Sequence, residues 1–531
     1  MSHNAVNIDS VFKELGPFGR YNFINYALLL FPCYLTGMYG SMFNFEALDI
    51  AYRCEVPQCE GLNNTMWLEY AIPKEKGEYS KCSMYQYGNV SDGMCTDDAF
   101  NTLKTKECDR YVYSDEDSVV KDFNLGCQNW KRTLVGTMHN AGFFVAMPLT
   151  GMLSDKFGRS KALPIASLMY GICGIARSFS TSYTMLLILE FGETALGGGA
   201  YTTSSVLAME IVQPKGRVFG HALVNFAFVL GITTLASLAW WLQNWRCLLR
   251  ILYTPALFVS SYLFFLNESP RWLFTKGKYK EGTDILKKQA KMNKVKITEE
   301  KLNPENFVII NERSAEKDIG DEKKSSIFFT ILKSRTITTR LAICCYMWMS
   351  CTFMYYGLSI NSVSLAGNRY VNFILVASAE VPANIICILT LDKFGRKRVI
   401  IIAYFLSGIL CISLTVLPKN YVWGPLVLYF SGKCSIAVAY SSLYIYVSEV
   451  FPTNVRQSLL SVCSTMGKIG STLAPLTPLL ALYYVNLPAI FFGSLAFIAG
   501  LLVITLPETL NVKLPDTVEE AEKIMKTQNG T

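Results

Sequence analysis

The chain has 531 residues, 51% hydrophobic, 13% aromatic and only 17% charged, with a formal net charge of +8. Soluble domains carry about 25% charge, so three or four water-soluble domains of ~150 residues each are excluded. Intrinsic disorder and nucleic-acid binding are excluded as well, because the chain is apolar and its basic excess is not clustered on a soluble domain. A polytopic membrane protein is the class that remains.

A bilayer core about 30 Å thick requires ~20 apolar residues of helix. In chain order, twelve windows meet that need: 22–45, 133–153, 161–179, 183–209, 218–242 and 245–266, then 341–365, 370–391, 398–417, 421–447, 457–484 and 487–506. Each run is continuous rather than alternating, so the spans are helices that satisfy their own backbone in lipid. The expected fold class is an all-α membrane protein of twelve transmembrane helices. Lys and Arg in the short loops set the orientation. Lys13, Arg20, Lys156, Arg159, Lys161, Lys215, Arg217, Lys393, Arg396, Lys397, Arg398 and Arg456 share one side, against Arg246, Arg369 and Lys419 on the other. The richer side is cytosolic, and an even number of spans puts both termini there. No cleavable signal precedes the first span, which is expected to act as its own anchor.

The division expected from this pattern is a cytosolic N-terminus (1–21), a first half (22–266), a cytosolic linker (267–340), a second half (341–506) and a cytosolic tail (507–531). Loop 46–132 lies outside and holds Cys54, Cys59, Cys82, Cys95, Cys108 and Cys127. Six Cys outside predict a disulfide-stapled subdomain, with fifteen connectivities open. Asn63 and Asn89 head glycosylation sequons on the exterior side, whereas those at Asn267 and Asn529 fall on the cytosolic side and are set aside. The loop carries 10 basic and 16 acidic residues, and the linker 17 basic and 11 acidic, so most of the chain's basicity is topology. Within the linker, Lys276 to Lys301 reads as an amphipathic helix, expected as a solvated segment near the membrane surface.

Short motifs recur at nearly constant spacing. Asp-Lys-Phe-Gly-Arg stands at 155–159 and again at 392–396; Glu210 with Arg217 is matched by Glu449 with Arg456; Glu268 is matched by Glu508. These pairs point to a duplicated six-span unit in parallel orientation, whose halves enclose a midplane site and rock about it. The charged members Asp155, Arg159, Glu210, Arg217, Asp392, Arg396, Glu449 and Arg456 are candidate gating residues that latch the cytosolic ends.

The chain resembles solute carrier family 22, the organic cation, anion and carnitine transporters of the major facilitator superfamily. The resemblance rests on Gly-Pro-Phe-Gly-Arg at 16–20, the Cys-rich loop, Asn-Glu-Ser-Pro-Arg-Trp-Leu at 267–273, Glu-Val-Phe-Pro-Thr-Asn-Val-Arg at 449–456 and Leu-Pro-Glu-Thr-Leu at 506–510. Leu-Glu-Phe-Gly-Glu at 189–193 resembles the family's insect branch. The resemblance implies a major facilitator fold, a plasma-membrane location and transport of a small organic ion by alternating access. Uniport, exchange for an anion and coupling to an ion all remain open.

Ionisable side chains inside spans are functional candidates by default: His139, Glu190, Glu193, Glu380, Lys433 and Lys468. By resemblance, the position of Lys468 is acidic in cation carriers and basic in anion and carnitine carriers, which favours an anionic or zwitterionic substrate. Asn384 stands where anion carriers often have a base, and that departure raises the zwitterion reading, in which Glu380 meets the ammonium. Glu190 and Glu193 share one helix face and pair either with the cavity or with Arg177 or Lys433. Tyr355, Tyr356, Tyr440 and Tyr444 match cavity-lining positions and suit bulky organic ions; Trp240, Trp241 and Trp348 are assigned to packing or lipid.

An organic cation carrier is the alternative, supported by the glutamates, and a non-transporting glycosylated receptor a further one. Span 7 lacks the paired glutamines of sugar porters. With three His and no Gly-Lys-Ser/Thr motif, neither a metal cluster, a nucleophile–base pair nor an ATP site is visible. The expectation is therefore no enzyme and no cofactor.

Overall fold

The protein is described from a computed structural model, which places residues 8–16, 19–61, 66–75, 78–88, 95–213, 216–297, 304, 334–417, 423–452, 456–510, 512 and 515. The glycosylation candidates Asn63 and Asn89 lie outside the described residues. So do most of the linker beyond 297 and the last residues of the tail.

The first half of the chain begins with α1 (Ile8–Glu14), α2 (Arg20–Tyr39) and α3 (Phe43–Glu46). After a Cys-rich excursion that carries α4 (Leu68–Ala71) and α5 (Val119–Asp122), it continues with α6 (Asn129–Phe157), α7 (Arg159–Arg177), α8 (Tyr183–Gly197), α9 (Ala200–Glu210), α10 (Arg217–Leu242) and α11 (Trp245–Val259). α12 (Pro270–Thr275) and α13 (Tyr279–Asn293) follow. The second half comprises α14 (Arg335–Asn361), α15 (Arg369–Ser378), α16 (Glu380–Phe394), α17 (Arg396–Ser413), α18 (Trp423–Val450), α19 (Arg456–Leu473), α20 (Thr477–Tyr483) and α21 (Leu487–Ile504).

Six helices among the described residues are long and apolar enough to cross a membrane: 219–242, 245–264, 335–364, 369–394, 423–450 and 487–504. The other expected windows coincide with α2, α6, α7, α8–α9, α17 and α19, which bury polar groups such as His139, Glu190 and Glu193. Four expected spans are broken into separate helices, the first between α2 and α3 at 40–42. Gly198 and Gly199 separate α8 from α9. Pro382 cannot donate to, and its ring clashes with, the carbonyl four residues back, at Ser378, where α15 ends. Pro475 and Pro478 act likewise between α19 and α20.

Helix pairs approach closely where side chains vanish. A Cβ on Gly37 of α2 would lie 2.2 Å from the carbonyl of Phe228, and one on Gly231 of α10 would lie 2.0 Å from that of Tyr34. With lipid as apolar as leucine, such small-residue seams supply the packing contacts that hydrophobicity does not.

The Cys-rich segment is a separate layer with its own core. Antiparallel strands pair as β1 (Tyr52–Cys54) with β6 (Tyr111–Tyr113), β2 (Lys74–Glu75) with β3 (Glu78–Tyr79), and β4 (Ser83–Tyr87) with β5 (Phe100–Glu107). Three disulfides, Cys54–Cys108, Cys59–Cys95 and Cys82–Cys127, choose one of the fifteen connectivities. They surround Val56, Trp67, Ile72 and Phe100. Arg53 lies 5.4 Å over the Trp67 ring and forks onto Glu60 at 2.5 and 2.8 Å. That hydrogen bond holds the Glu60 carboxyl below its ordinary range. The layer is tied to the helices where Trp245 Nε1 and Arg246 Nε donate to Asp122 at 3.2 and 2.9 Å.

The linker helix is covered along one face. Leu286 and Ala290 of α13 are buried with Val11, Phe12 and Leu15 of the N-terminal segment, while Lys280, Lys287, Lys288 and Lys291 stay exposed. Gln289 Nε2 donates to Asn22 Oδ1 at 2.9 Å. An amphipathic pattern records that one face is covered without saying by what, and here the cover is α1.

Candidate functional site

Three groups of charged residues stand out, each organised by a different local rule. The first is the repeated motif. Gly158 and Gly395 both adopt positive φ, 98° and 92°, which a residue with a Cβ enters only under strain, and each turns the chain sharply into the next helix. Asp155 pairs with Arg159 at 3.1 Å and Asp392 with Arg396 at 3.1 Å. Arg159 also reaches Glu210 at 3.5 Å, and Arg396 reaches Glu449 at 3.2 Å. Glu210 and Glu449 therefore meet the arginines of the Gly turns, not Arg217 and Arg456. Glu268 accepts from Arg159 N and Ser160 N, both at 3.1 Å, and Glu508 accepts from Arg396 N at 3.0 Å. A carboxylate there meets the open amides and positive dipole of a helix N-terminus. In the sequence Glu268 and Glu508 stand out only as a repeat, and their constant spacing is the signal of a shared role. All these contacts stay within one half of the chain.

The second group is buried in the first half. Arg177, at the end of α7, is fully buried, as are Glu46, Glu190 and Glu193. Its guanidinium bonds to Glu190 and Glu193 and lies 3.2 Å from Glu46 Oε2. Tyr253 OH donates to Glu193 at 2.5 Å, and His139 Nδ1 lies 2.8 Å from Glu190 Oε1. Of the two pairings open for Glu190 and Glu193, the structure shows the one with Arg177. Glu46, at the edge of the first expected span, escaped sequence reading because it appeared to belong to the loop.

The third group lies in the second half, facing the first. Tyr355 stacks on Tyr440 with centroids 5.2 Å apart; Tyr356 meets Tyr355 edge-on at 5.2 Å, and Tyr444 meets Tyr440 at 5.5 Å. Trp348 backs this sheaf, 4.4 Å from Tyr444, as a packing residue. Tyr355 OH donates to Glu380. Lys433 has no accessible surface; its Nζ donates to Tyr355 O and Ser359 Oγ, both at 2.8 Å, and sits under the Tyr355 ring. Asn384 accepts from Ser441 Oγ at 3.4 Å. Lys468 is different. It is half-buried, its Nζ lies 4.6 Å above the Phe143 ring of α6 in the first half, and it has no acidic partner within ion-pair distance among the described residues. Sequence gives no sign of Phe143 or of Tyr201, whose OH donates to Asn225 Oδ1 at 3.2 Å. A lone aromatic in a span carries no sequence signal that separates it from lipid-facing ones.

Between the halves, at the end bearing the Cys-rich layer, lies a cavity of about 380 Å³ lined by Phe43, Asn44, Arg132 and Gly136 on one side and Ser364 and Arg369 on the other. Below it the halves touch through aromatics: Phe45 stacks on Tyr370 at 5.6 Å and meets Phe373 edge-on at 5.0 Å, and Trp240 stacks on Tyr370 at 6.1 Å.

The profile of the sugar (and other) transporter family matches residues 80–520. Among curated proteins, the organic cation transporter protein of Drosophila melanogaster is 28% identical over 530 residues, covering 98% of this chain and 95% of that protein. Solute carrier family 22 member 6-B of Xenopus laevis is 29% identical with the same coverage, and organic cation/carnitine transporter 2 of Mus musculus is 28% identical, covering 96% and 92%. The inward open conformation of the xylose transporter XylE from E. coli superposes with a TM-score of 0.61 at 17% identity, over 94% of this chain and 99% of that one. That likeness concerns the fold.

Proposed function

The chain belongs to the sugar (and other) transporter family, a membrane carrier rather than an enzyme, and from that premise we propose that it moves organic anions or carnitine-like zwitterions by alternating access. The proposal includes twelve spans in two parallel six-helix halves, 22–266 and 341–506. It also includes a plasma-membrane location, cytosolic termini, an exterior Cys-rich layer and glycans on Asn63 and Asn89.

One observation carries the substrate class: Lys468 is a cation at the meeting of the halves without an acidic partner among the described residues. A half-buried ammonium with only a ring face for company is incompletely compensated, so an anionic group arriving there gains both charges' attraction. Lys433 is already satisfied and supports Tyr355 from beneath. Tyr355, Tyr356, Tyr440 and Tyr444 supply aromatic walls, with Asn384 and Glu380 at their edge. The gating assignment extends to Asp155, Arg159, Glu210, Arg217, Asp392, Arg396, Glu449 and Arg456. Among the described residues their ion pairs join groups of the same half, which fits an open cytosolic side.

A second reading, an organic cation carrier, draws on one feature: Glu380 among stacked tyrosines would suit a quaternary ammonium. The test is uptake of labelled benzenesulfonate, carnitine and tetraethylammonium into oocytes, repeated with Lys468→Asp. Benzenesulfonate or carnitine should enter with wild type and fall by about 100-fold in the variant, the scale of removing one partner from a buried charge pair. Uptake of anions that survives the reversal excludes Lys468 as a contact. Movement of tetraethylammonium alone selects the second reading.

A further inference from the structure

The first-half cluster has more acid than its single guanidinium can balance. Arg177 faces Glu46, Glu190 and Glu193, and every one of the four is sealed from solvent. The groups around them are Tyr39 of α2, His139 of α6, Tyr170 and Cys173 of α7, and Tyr253 of α11, with Arg246 of α11 in electrostatic range of Glu46. Two carboxylates are compensated: Glu190 between Arg177 and His139, and Glu193 between Arg177 and Tyr253. Glu46 is compensated least: Arg177 stands 3.2 Å from its Oε2, but neither of its oxygens has a hydrogen-bond partner. A buried carboxylate in that condition takes up a proton in preference to remaining charged. His139 completes the pattern: its Nδ1 is engaged with Glu190, while Nε2 is buried without a partner.

The place of the cluster gives that proton a route. Phe43 and Asn44, in the same turn as Glu46, line the cavity at the Cys-rich end, and Phe45 is the residue that closes on Tyr370 and Phe373 of the other half. Glu46 thus follows directly in the chain the residue that makes this contact between the halves. On the other flank, His139 packs against Phe143 at 5.9 Å, and Phe143 is the ring beneath Lys468.

We propose that Glu46, with Arg177, Glu190, Glu193 and His139, is a proton-binding site that couples substrate movement to proton entry. The proposal rests on the reading of the chain as a carrier of organic anions. The Glu46 carboxylate gains a proton from the exterior when the outer end is open and is buried as the acid when Phe45 closes. It returns to carboxylate by releasing that proton toward the inward-facing site, so one proton enters per cycle. With a monovalent anion the cycle is electroneutral, and one pH unit of inward gradient supports about tenfold accumulation.

The test uses the purified full chain in lipid. Infrared difference spectra taken between neutral and alkaline pH should show a protonated carboxyl C=O band that is missing in Glu46→Gln. Absence of the band in wild type, or its persistence in the variant, overturns the site whatever the substrate. In proteoliposomes, benzenesulfonate, whose charge does not change with pH, should accumulate about tenfold per unit of inward gradient and alkalinise the outer medium. Glu46→Gln should lose both responses and retain exchange of labelled for unlabelled benzenesulfonate at equal pH, which certifies that it is folded. Wild-type exchange without gradient response or proton flux overturns the coupling while leaving the carrier reading in place. A carboxyl band at Glu46 with no benzenesulfonate, carnitine or tetraethylammonium movement overturns the carrier reading and leaves the proton site.

Discussion

The two halves bury charge in opposite ways. In the first, Arg177 lies fully enclosed among three glutamates with no accessible surface. In the second, Lys468 keeps part of its surface and has the Phe143 ring, and no acidic group, as its side-chain neighbour among the described residues. Taking an ion from water costs several kcal/mol, recovered only by partners of good geometry. A cation that has collected its partners within the fold is fixed there; one left incomplete beside an interface has capacity for something that comes and goes. Lys433 shows the same rule from a third position: its backbone carbonyl and hydroxyl partners make it a support for Tyr355 rather than a free charge.

The sharpest way to break this contrast is to remove both cations in the same manner. Arg177→Leu leaves Glu190 and Glu193 without their main partner, and breaking a buried pair of this kind costs about 3–5 kcal/mol. Surface expression and thermal stability in detergent should collapse, with partial recovery when Glu193→Gln removes one surplus charge. Lys468→Leu should leave both near wild type while uptake fails. Equal loss of expression in the two variants would put Lys468 in the same structural class as Arg177.

Much of this contrast was already written in the chain, and the rest was not for identifiable reasons. The apolar windows, the paired Gly turns and the six Cys of one loop follow from local composition and spacing, so helices, motif geometry and a stapled layer could be read directly. The intramembrane charges could be named one by one, because charge in a span is rare. Their partners could not, since Arg177 and Glu46 are distant in sequence and meet only through helix packing. Disulfide pairing and the docking of α13 on α1 are non-local in the same sense. Lys433 and Lys468 looked alike in sequence and separate only when the neighbours of each ammonium are known.

A finer division concerns Tyr355, which touches both the sheaf of aromatics and Glu380. Tyr355→Phe keeps the ring over Lys433 and the stack on Tyr440 but deletes the hydroxyl that donates to Glu380. A single hydrogen bond to a charged group is worth about 1.5–3 kcal/mol, so KM for carnitine should shift roughly tenfold while expression is kept. For benzenesulfonate, which has no ammonium to place against Glu380, the change should be smaller. An equal shift for both substrates would remove Glu380 from ammonium recognition.

The smallest effect belongs to the ion pair that water reaches. Arg53 and Glu60 have bidentate geometry but sit partly exposed in the Cys-rich layer. Arg53 depresses the Glu60 carboxyl, so folding gains from this pair above the ordinary glutamate range, near pH 4.3, and loses that gain as pH falls through the depressed value. Exposed pairs contribute about 0–1 kcal/mol. Glu60→Gln should therefore leave uptake unchanged at neutral pH and flatten the acid side of the thermal stability profile only slightly. A loss comparable to that of Arg177→Leu would mean that good geometry, rather than exclusion of water, decides what a charge pair is worth in this protein.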